Sequence, residues 1–341
     1  MNLVPSDADA PAPLRVLIGH RPPAPITRHI DQIVGDNLSE IDFGFFAGAY
    51  RGQETDILHV LDAEILLSGS TPEERVDTAT TLLEQLREQG SVLVQTVIGS
   101  PTDEQSADPA RNLLNDATAA FIVLDESVET PAPERTTLIP HGHFREKFLG
   151  YPRGKEVPGR LLCISRSQLS RAAEAPLKAL TVTDTPGLTL RVVGNVSPRL
   201  QTVLERSQTW NPTTVSVRDE TLSDAENIRE IDSAELVVLP EIETLTDAAM
   251  LFMTLSLDRP ALVRDSESAR LLAESVGEGW VLRYDGPLTA EILDQKMEEL
   301  RSAQRAVSPN LEGRDIETTV GRYEELYAQI VTSQRAATAT T

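Results

Sequence analysis

The chain holds one cysteine, Cys163, among 341 residues. A single thiol excludes an intramolecular disulfide framework and a thiolate-held zinc site, and it fits a reducing compartment. Cys163 sits in RLLCIS, which marks it as a buried strand thiol. Positive charge is scarce: 31 Lys+Arg stand against 53 Asp+Glu, a formal net charge of −22. A surplus of that size repels a phosphate backbone and speaks against sequence-independent nucleic-acid binding. It also disfavours tight docking on anionic lipid, unless a local basic patch outweighs the global field. Long apolar runs are missing, since no window approaches the roughly 20 residues of a membrane span. The N-terminus, MNLVPSDADAPAPLR, has no basic stretch followed by an apolar one. The expectation is a soluble, cytoplasmic protein with at most peripheral membrane contact. Among short motifs, GxGxxG, the P-loop, HExxH and GxSxG are all lacking, which disfavours a dinucleotide dehydrogenase, a P-loop enzyme, a zincin and an α/β-hydrolase.

What is present is rhythm. A chain of this length exceeds one ordinary core, so two domains are expected. Short apolar runs alternate with segments of helical period, the pattern of parallel α/β architecture. Strands are expected at 15–19, 41–47, 56–61, 91–97, 119–125 and 136–140, with helices at 24–35, 73–89 and 107–117. The linker YPRGKEVPG (151–159) precedes a second series, with strands at 160–165, 188–193, 213–218, 235–239, 260–264 and 280–284. Helices are expected there near 168–181, 197–208, 222–233, 244–257, 266–276 and 288–306. The expected organisation is two Rossmann-like, doubly wound domains, 1–155 and 156–312, facing a central cleft. A terminal helix (313–334) and a disordered tail (335–341) follow.

The chemistry-bearing residues fall at strand-to-helix corners. Gly19 and His20 end the first strand, where a glycine lets backbone amides approach a ligand or simply makes a turn. His59, inside a strand, is expected to be a hydrogen-bonded core residue, with Asp62 and Glu64 at the strand end. LIPHGHFREKFLGYP (138–152) gathers His141, His143, Arg145 and Lys147. Two histidines without a third ligand nearby do not make a metal site, whereas His and Arg together offer donors to anionic oxygens. In SRSQLSRA (165–172), Arg166 and Arg171 either neutralise a diphosphate or form a solvated helix start. In LPEIETLTDAAM (239–250), Glu241 and Glu243 serve a ribose hydroxyl or the helix dipole.

TTLIPHGHFREKFLGYPR (136–153) resembles the stretch joining the two domains of bacterial GT-B glycosyltransferases of the exopolysaccharide and glycolipid type. The match is strongest to a group of mannosyltransferase-like actinobacterial enzymes. TDILHVLDAEILL (55–67) is similar to their DVLHVHWPE segment, and LTLRVVGNVSP, AELVVLP, LSLDRPALV and VGEGWV follow in the family's order. The resemblance implies a sugar transferase using a nucleotide-diphosphate sugar, with GDP-mannose a candidate donor, no separate cofactor and no metal. The acceptor would be a glycan or a lipid-linked sugar in cell-surface polysaccharide or glycolipid synthesis. His141, His143 and Arg145 take the catalytic positions, lining the cleft. Arg166, Arg171, Gly194, Glu241 and Glu243 hold the donor, and Gly19 and His20 form an acceptor-side loop. The chain departs from the family where Ile98 and Gly99 replace a His-Asn pair, where Gln168 stands for an arginine, and where Asp247 enters a helix start. Those departures favour an alternative: a degenerate GT-B protein acting as binding partner or regulator of an active glycosyltransferase.

Overall fold

Twelve short apolar runs become twelve parallel strands. The computed structural model describes residues 13–20, 27–35, 41–47, 50–99, 102–165, 173–196, 198–210, 214–240 and 245–339. The chain divides into two compact units, Met1–Pro140 with Glu317–Thr341, and His141–Ile316.

The first unit runs β1 (Leu14–His20), α1 (Thr27–Val34), β2 (Ile41–Ala47), β3 (Ile57–Val60), α2 (Pro72–Gln89) and β4 (Val92–Val97). It continues through α3 (Asp103–Ala107), α4 (Pro109–Ala117), β5 (Thr118–Val123) and β6 (Thr136–Leu138). The sheet order is β2-β1-β3-β4-β5-β6, with every pair parallel. Helix α2 starts for local reasons. Thr71 accepts a hydrogen bond from the Glu74 amide, Pro72 occupies the first turn, and Glu73 and Glu74 face the positive end of the helix dipole. Its apolar face, Ala79, Leu82 and Leu86, packs with Leu114 of α4 over Leu58, Val60 and Leu93.

In the second unit the same alternation gives β7 (Arg160–Ser165), α5 (Glu174–Leu180), β8 (Thr189–Gly194), α6 (Pro198–Trp210), β9 (Val215–Arg218) and α7 (Asp224–Asp232). Then come β10 (Leu236–Leu239), α8 (Leu245–Ser256), β11 (Ala261–Arg264), α9 (Glu267–Val276), β12 (Val281–Tyr284) and α10 (Ala290–Ser302). The order is β12-β11-β10-β7-β8-β9, again all parallel. Strand side chains split by their period of two between two cores. Leu162, Ile164, Val237 and Val263 join one, and Leu161, Cys163, Leu236 and Leu262 join the other. Cys163 is fully buried, and burial pushes its thiol up to about 12.

Helix α11 (Ile316–Ala339) carries the chain back to the first unit. Tyr323 and Tyr327, one turn apart on the same face, are both fully buried there. The helix continues to Ala339, past the expected end at 334, because RAATA (335–339) is rich in alanine. The division between units falls at 140/141 rather than at 155/156. Phe144 and Phe148 are already part of the second unit's core, and Arg153 makes a bidentate pair with Asp232 of α7 at 2.6 and 2.8 Å.

Candidate functional site

In a parallel sheet all carboxyl ends lie on one edge, and ligands bind where the strand order reverses. In the second unit β7 is the reversal point, with β8 on one side and β10 on the other. Ser165 ends β7 opposite Gly194 of β8, and its hydroxyl donates to the Asn195 carbonyl at 2.6 Å. Gly194 has φ +100°, and a Cβ there would lie 2.1 Å from the Ser165 carbonyl oxygen. Only glycine allows the two strand ends to close together in this way. Beside them, Asp219 accepts the Val196 amide at 2.9 Å, which fixes the turn leaving β8. Arg264 ends β11 on the same edge and is exposed, and Asp247 lies in the first turn of α8.

In the first unit the reversal point is β1, between β2 and β3. Gly19 pairs with Val60, and the Leu61 amide donates to the Gly19 carbonyl at 3.0 Å. The space a side chain would take at Gly19 is filled by the Phe46 ring, 2.5 Å from an added Cβ. Packing therefore requires this glycine. Beyond β3, Asp62 accepts the Glu64 amide at 3.0 Å. Glu64 is clamped by Arg75 at 2.9 Å and Arg111 at 3.0 Å, and Arg75 also reaches Asp108 at 2.5 Å. Hydrogen bonds from Asp108 and then Glu64 raise the Arg75 guanidinium above its ordinary value.

His59 sits behind this edge, fully buried. One ring nitrogen meets the Tyr327 hydroxyl at 2.7 Å and the other the Thr96 hydroxyl at 2.8 Å. Burial brings it down to about 3, so the ring is neutral and both its nitrogens are committed.

His141 stacks flat on Phe252 of α8, with centroids 4.9 Å apart and planes within 4°. Its Nδ1 lies 2.8 Å from the Gly142 carbonyl, and Arg314 donates to its own carbonyl at 3.0 Å while covering the Phe252 ring. Burial, reinforced by the Arg314 charge, lowers it to about 4. The His143 amide donates to the Arg314 carbonyl at 2.7 Å, and Glu146 lies 3.2 Å from its Nδ1. Burial lowers His143 as well, opposed by the Glu146 charge. Arg145 pairs with Asp258 at 3.3 Å and donates to the Pro309 carbonyl at 3.0 Å. His143 and Arg145 help to line a pocket of 630 Å³ with Gly277, Asn310, Glu312 and Asp315.

No protein-family model matches the chain. Over 267 residues, 76% of each chain, it is 31% identical to the GDP-mannose:glycolipid 4-beta-D-mannosyltransferase of Xanthomonas campestris pv. campestris. The chain belongs to that glycosyltransferase family. Two solved structures share its fold: a glycosyltransferase from Rickettsia africae, and Anabaena HepE in complex with UDP-glucose. The first has a TM-score of 0.60 at 10% identity, covering 93% of this chain and 98% of that one. For the second the TM-score is 0.57 at 11% identity, with 96% and 100% covered. The GT-B architecture expected from the sequence is thus the observed one, two parallel six-stranded α/β units.

Within this glycosyltransferase the expected site residues separate. Gly194, Gly19 and His20 do lie at strand ends beside the reversal points. Arg166, Arg171, Glu241 and Glu243 lie outside the described residues, as does Gln168. The histidine segment does not line a crevice at the carboxyl ends. Asp258 precedes β11 and Gly277 precedes β12, so Arg145 and His143 occupy the amino edge of the second sheet. His141, 1% exposed, is a packing residue between Gly142 and Phe252. The reason is the pull of Phe144 and Phe148, which draw the whole segment onto α8. Sequence reasoning missed the Arg75 and Arg111 clamp on Glu64, the Asp219 brace and Arg264. Only Arg264 carried a local signal, as a cation closing an apolar strand. Among the described residues, no three His, Cys, Asp or Glu side chains converge as a metal-binding group, and no helix is long and apolar enough to cross a membrane.

Proposed function

We propose that the chain transfers a mannosyl group from GDP-mannose to a hydroxyl of a lipid-linked acceptor, in the synthesis of a cell-surface polysaccharide or glycolipid on the cytoplasmic side. The observation that carries this reading is the identity, over three quarters of the chain, with a protein named for that donor and acceptor class. In this reading the sugar nucleotide is itself the substrate and no further cofactor takes part.

The second unit's crevice takes the nucleotide, beside Ser165, Gly194 and Arg264. A diphosphate in a chain of net charge −22 needs local cations. Arg166 and Arg171, which follow Ser165 in the chain, supply them to the leaving group together with Arg264. The first unit's crevice, with His20 and Asp62 at its strand ends, takes the acceptor. The alternative of a degenerate binding partner for an active transferase has no specific observation in its favour.

Calorimetric titration with GDP and UDP tests the donor, and mass spectrometry of a lipid-linked acceptor incubated with GDP-mannose tests the transfer. GDP is expected to bind below about millimolar levels, roughly 4 kcal/mol, and more tightly than UDP. Absence of heat with every nucleotide and nucleotide-sugar, together with no mannosylated product, would overturn the reading.

A further inference from the structure

Of the eight large apolar residues exposed among the described residues, three fall between Leu149 and Val157. Leu149 is the most open of these, 78% exposed, with Tyr151 and Val157 at 36% and 38%. The backbone holds Leu149 out. It has φ −59° and ψ 130°, Gly150 follows at φ +85°, and the Tyr151 amide donates to the Phe148 carbonyl at 3.2 Å. These are the angles of a type II turn, which calls for glycine at its third position. A side chain added at Gly150 would meet nothing within 4 Å, so the turn is a tip in open solvent.

Both flanks of the tip are fastened. Phe148 is buried in the second unit's core, and Asp232 holds Arg153 by two hydrogen bonds and the Gly154 amide at 2.9 Å. The charge around the tip is opposite in sign to that of the chain. Lys147 and Lys155 are exposed on either side of it, while Glu146 is engaged with His143 and Glu156 with Arg259 at 2.7 Å. Arg145 and Arg153 have their own carboxylates, Asp258 and Asp232. What remains outward is a leucine and a tyrosine between two lysines, in a chain of net charge −22.

We propose that the tip Phe148–Tyr151, flanked by Lys147 and Lys155, docks this protein on an anionic lipid bilayer. Leu149 enters the interface, the Tyr151 ring lies at headgroup level, and the lysines meet lipid phosphates. A fastened turn pays little ordering entropy on docking, unlike a free loop. The functional reading enters only in explaining why such docking is useful: a lipid-linked acceptor lies in the bilayer surface.

Vesicle sedimentation of the full chain tests the docking and needs no turnover, so its result is separate from that of the donor titration. Vesicles of phosphatidylcholine with about one third phosphatidylglycerol are expected to retain the protein, and neutral vesicles to retain much less. Leu149→Glu is expected to lower the partition about tenfold, and each of Lys147→Glu and Lys155→Glu about fivefold, with unchanged melting temperatures because all three side chains are exposed. Retention of wild type and Leu149→Glu to the same extent would overturn the proposal. So would a wild type that stays in solution with anionic vesicles, or self-association of the free chain that Leu149→Glu abolishes, which would assign the tip to a second copy.

Discussion

His59 and His141 are neutral imidazoles buried one in each unit, brought down to about 3 and about 4 by burial. In the unfolded chain a histidine titrates near about 6.5. Below that pH the unfolded state takes up a proton that the folded state refuses, so stability is full above about 6.5 and falls as the pH drops toward the folded values. The slope is about 1.4 kcal/mol per pH unit for each histidine. Denaturant melts at about pH 7.5 and about pH 5 are expected to show a lower midpoint in acid, and His59→Gln to remove part of the difference. Equal midpoints would contradict neutral burial. The sequence marked His59 as a hydrogen-bonded core residue from its apolar neighbours. It could not name Thr96 and Tyr327 as the partners, 37 and 268 positions away.

At the scale of elements, the sequence was most legible where strands are buried on both faces. RLLCIS forms β7 over the expected residues 160–165, and the runs at 41–47 and 261–264 match within a residue. Such strands are continuous apolar runs bounded by turn residues, and nothing distant is needed to recognise them. Corners were less legible, because a corner's role depends on what stands beside it. Gly19 is required by the Phe46 ring, while Gly194 is required by the Ser165 carbonyl. Gly194→Ala joins a close contact to a positive φ, and is expected to cost on the order of 2–3 kcal/mol and to weaken GDP binding. Thermal melts and nucleotide titration of that variant check it. An unchanged melting temperature would show that β7 and β8 can part without penalty.

Seen whole, the chain is not two consecutive domains. Helix α11 belongs with the first unit although the second lies between them in sequence. Its buried Tyr323 and Tyr327 rings lie against His59, with centroids 6.1 and 5.9 Å away. A chain ending at residue 315 is expected to uncover His59 and its neighbours and to lower or abolish the first unit's melting transition. The second unit, His141–Ile316, retains its own cores and its transition. Differential scanning calorimetry decides this, and loss of both transitions together would show that the two units fold as one.

The sequence alone determined the class of fold, because alternation between apolar strands and amphipathic helices is a local property that leaves parallel sheets as the stable solution. It also carried the family, through segments spread along both units. The tertiary structure decided which polar residues share a place. It set Arg75 and Arg111 on Glu64, moved the histidine segment from the crevice to the packing of α8, and pushed Leu149 into solvent at the tip of a turn. The physical reason is range: periodicity is written over a few residues, whereas an ion pair, a ring stack or an exposed tip depends on residues brought together from far along the chain.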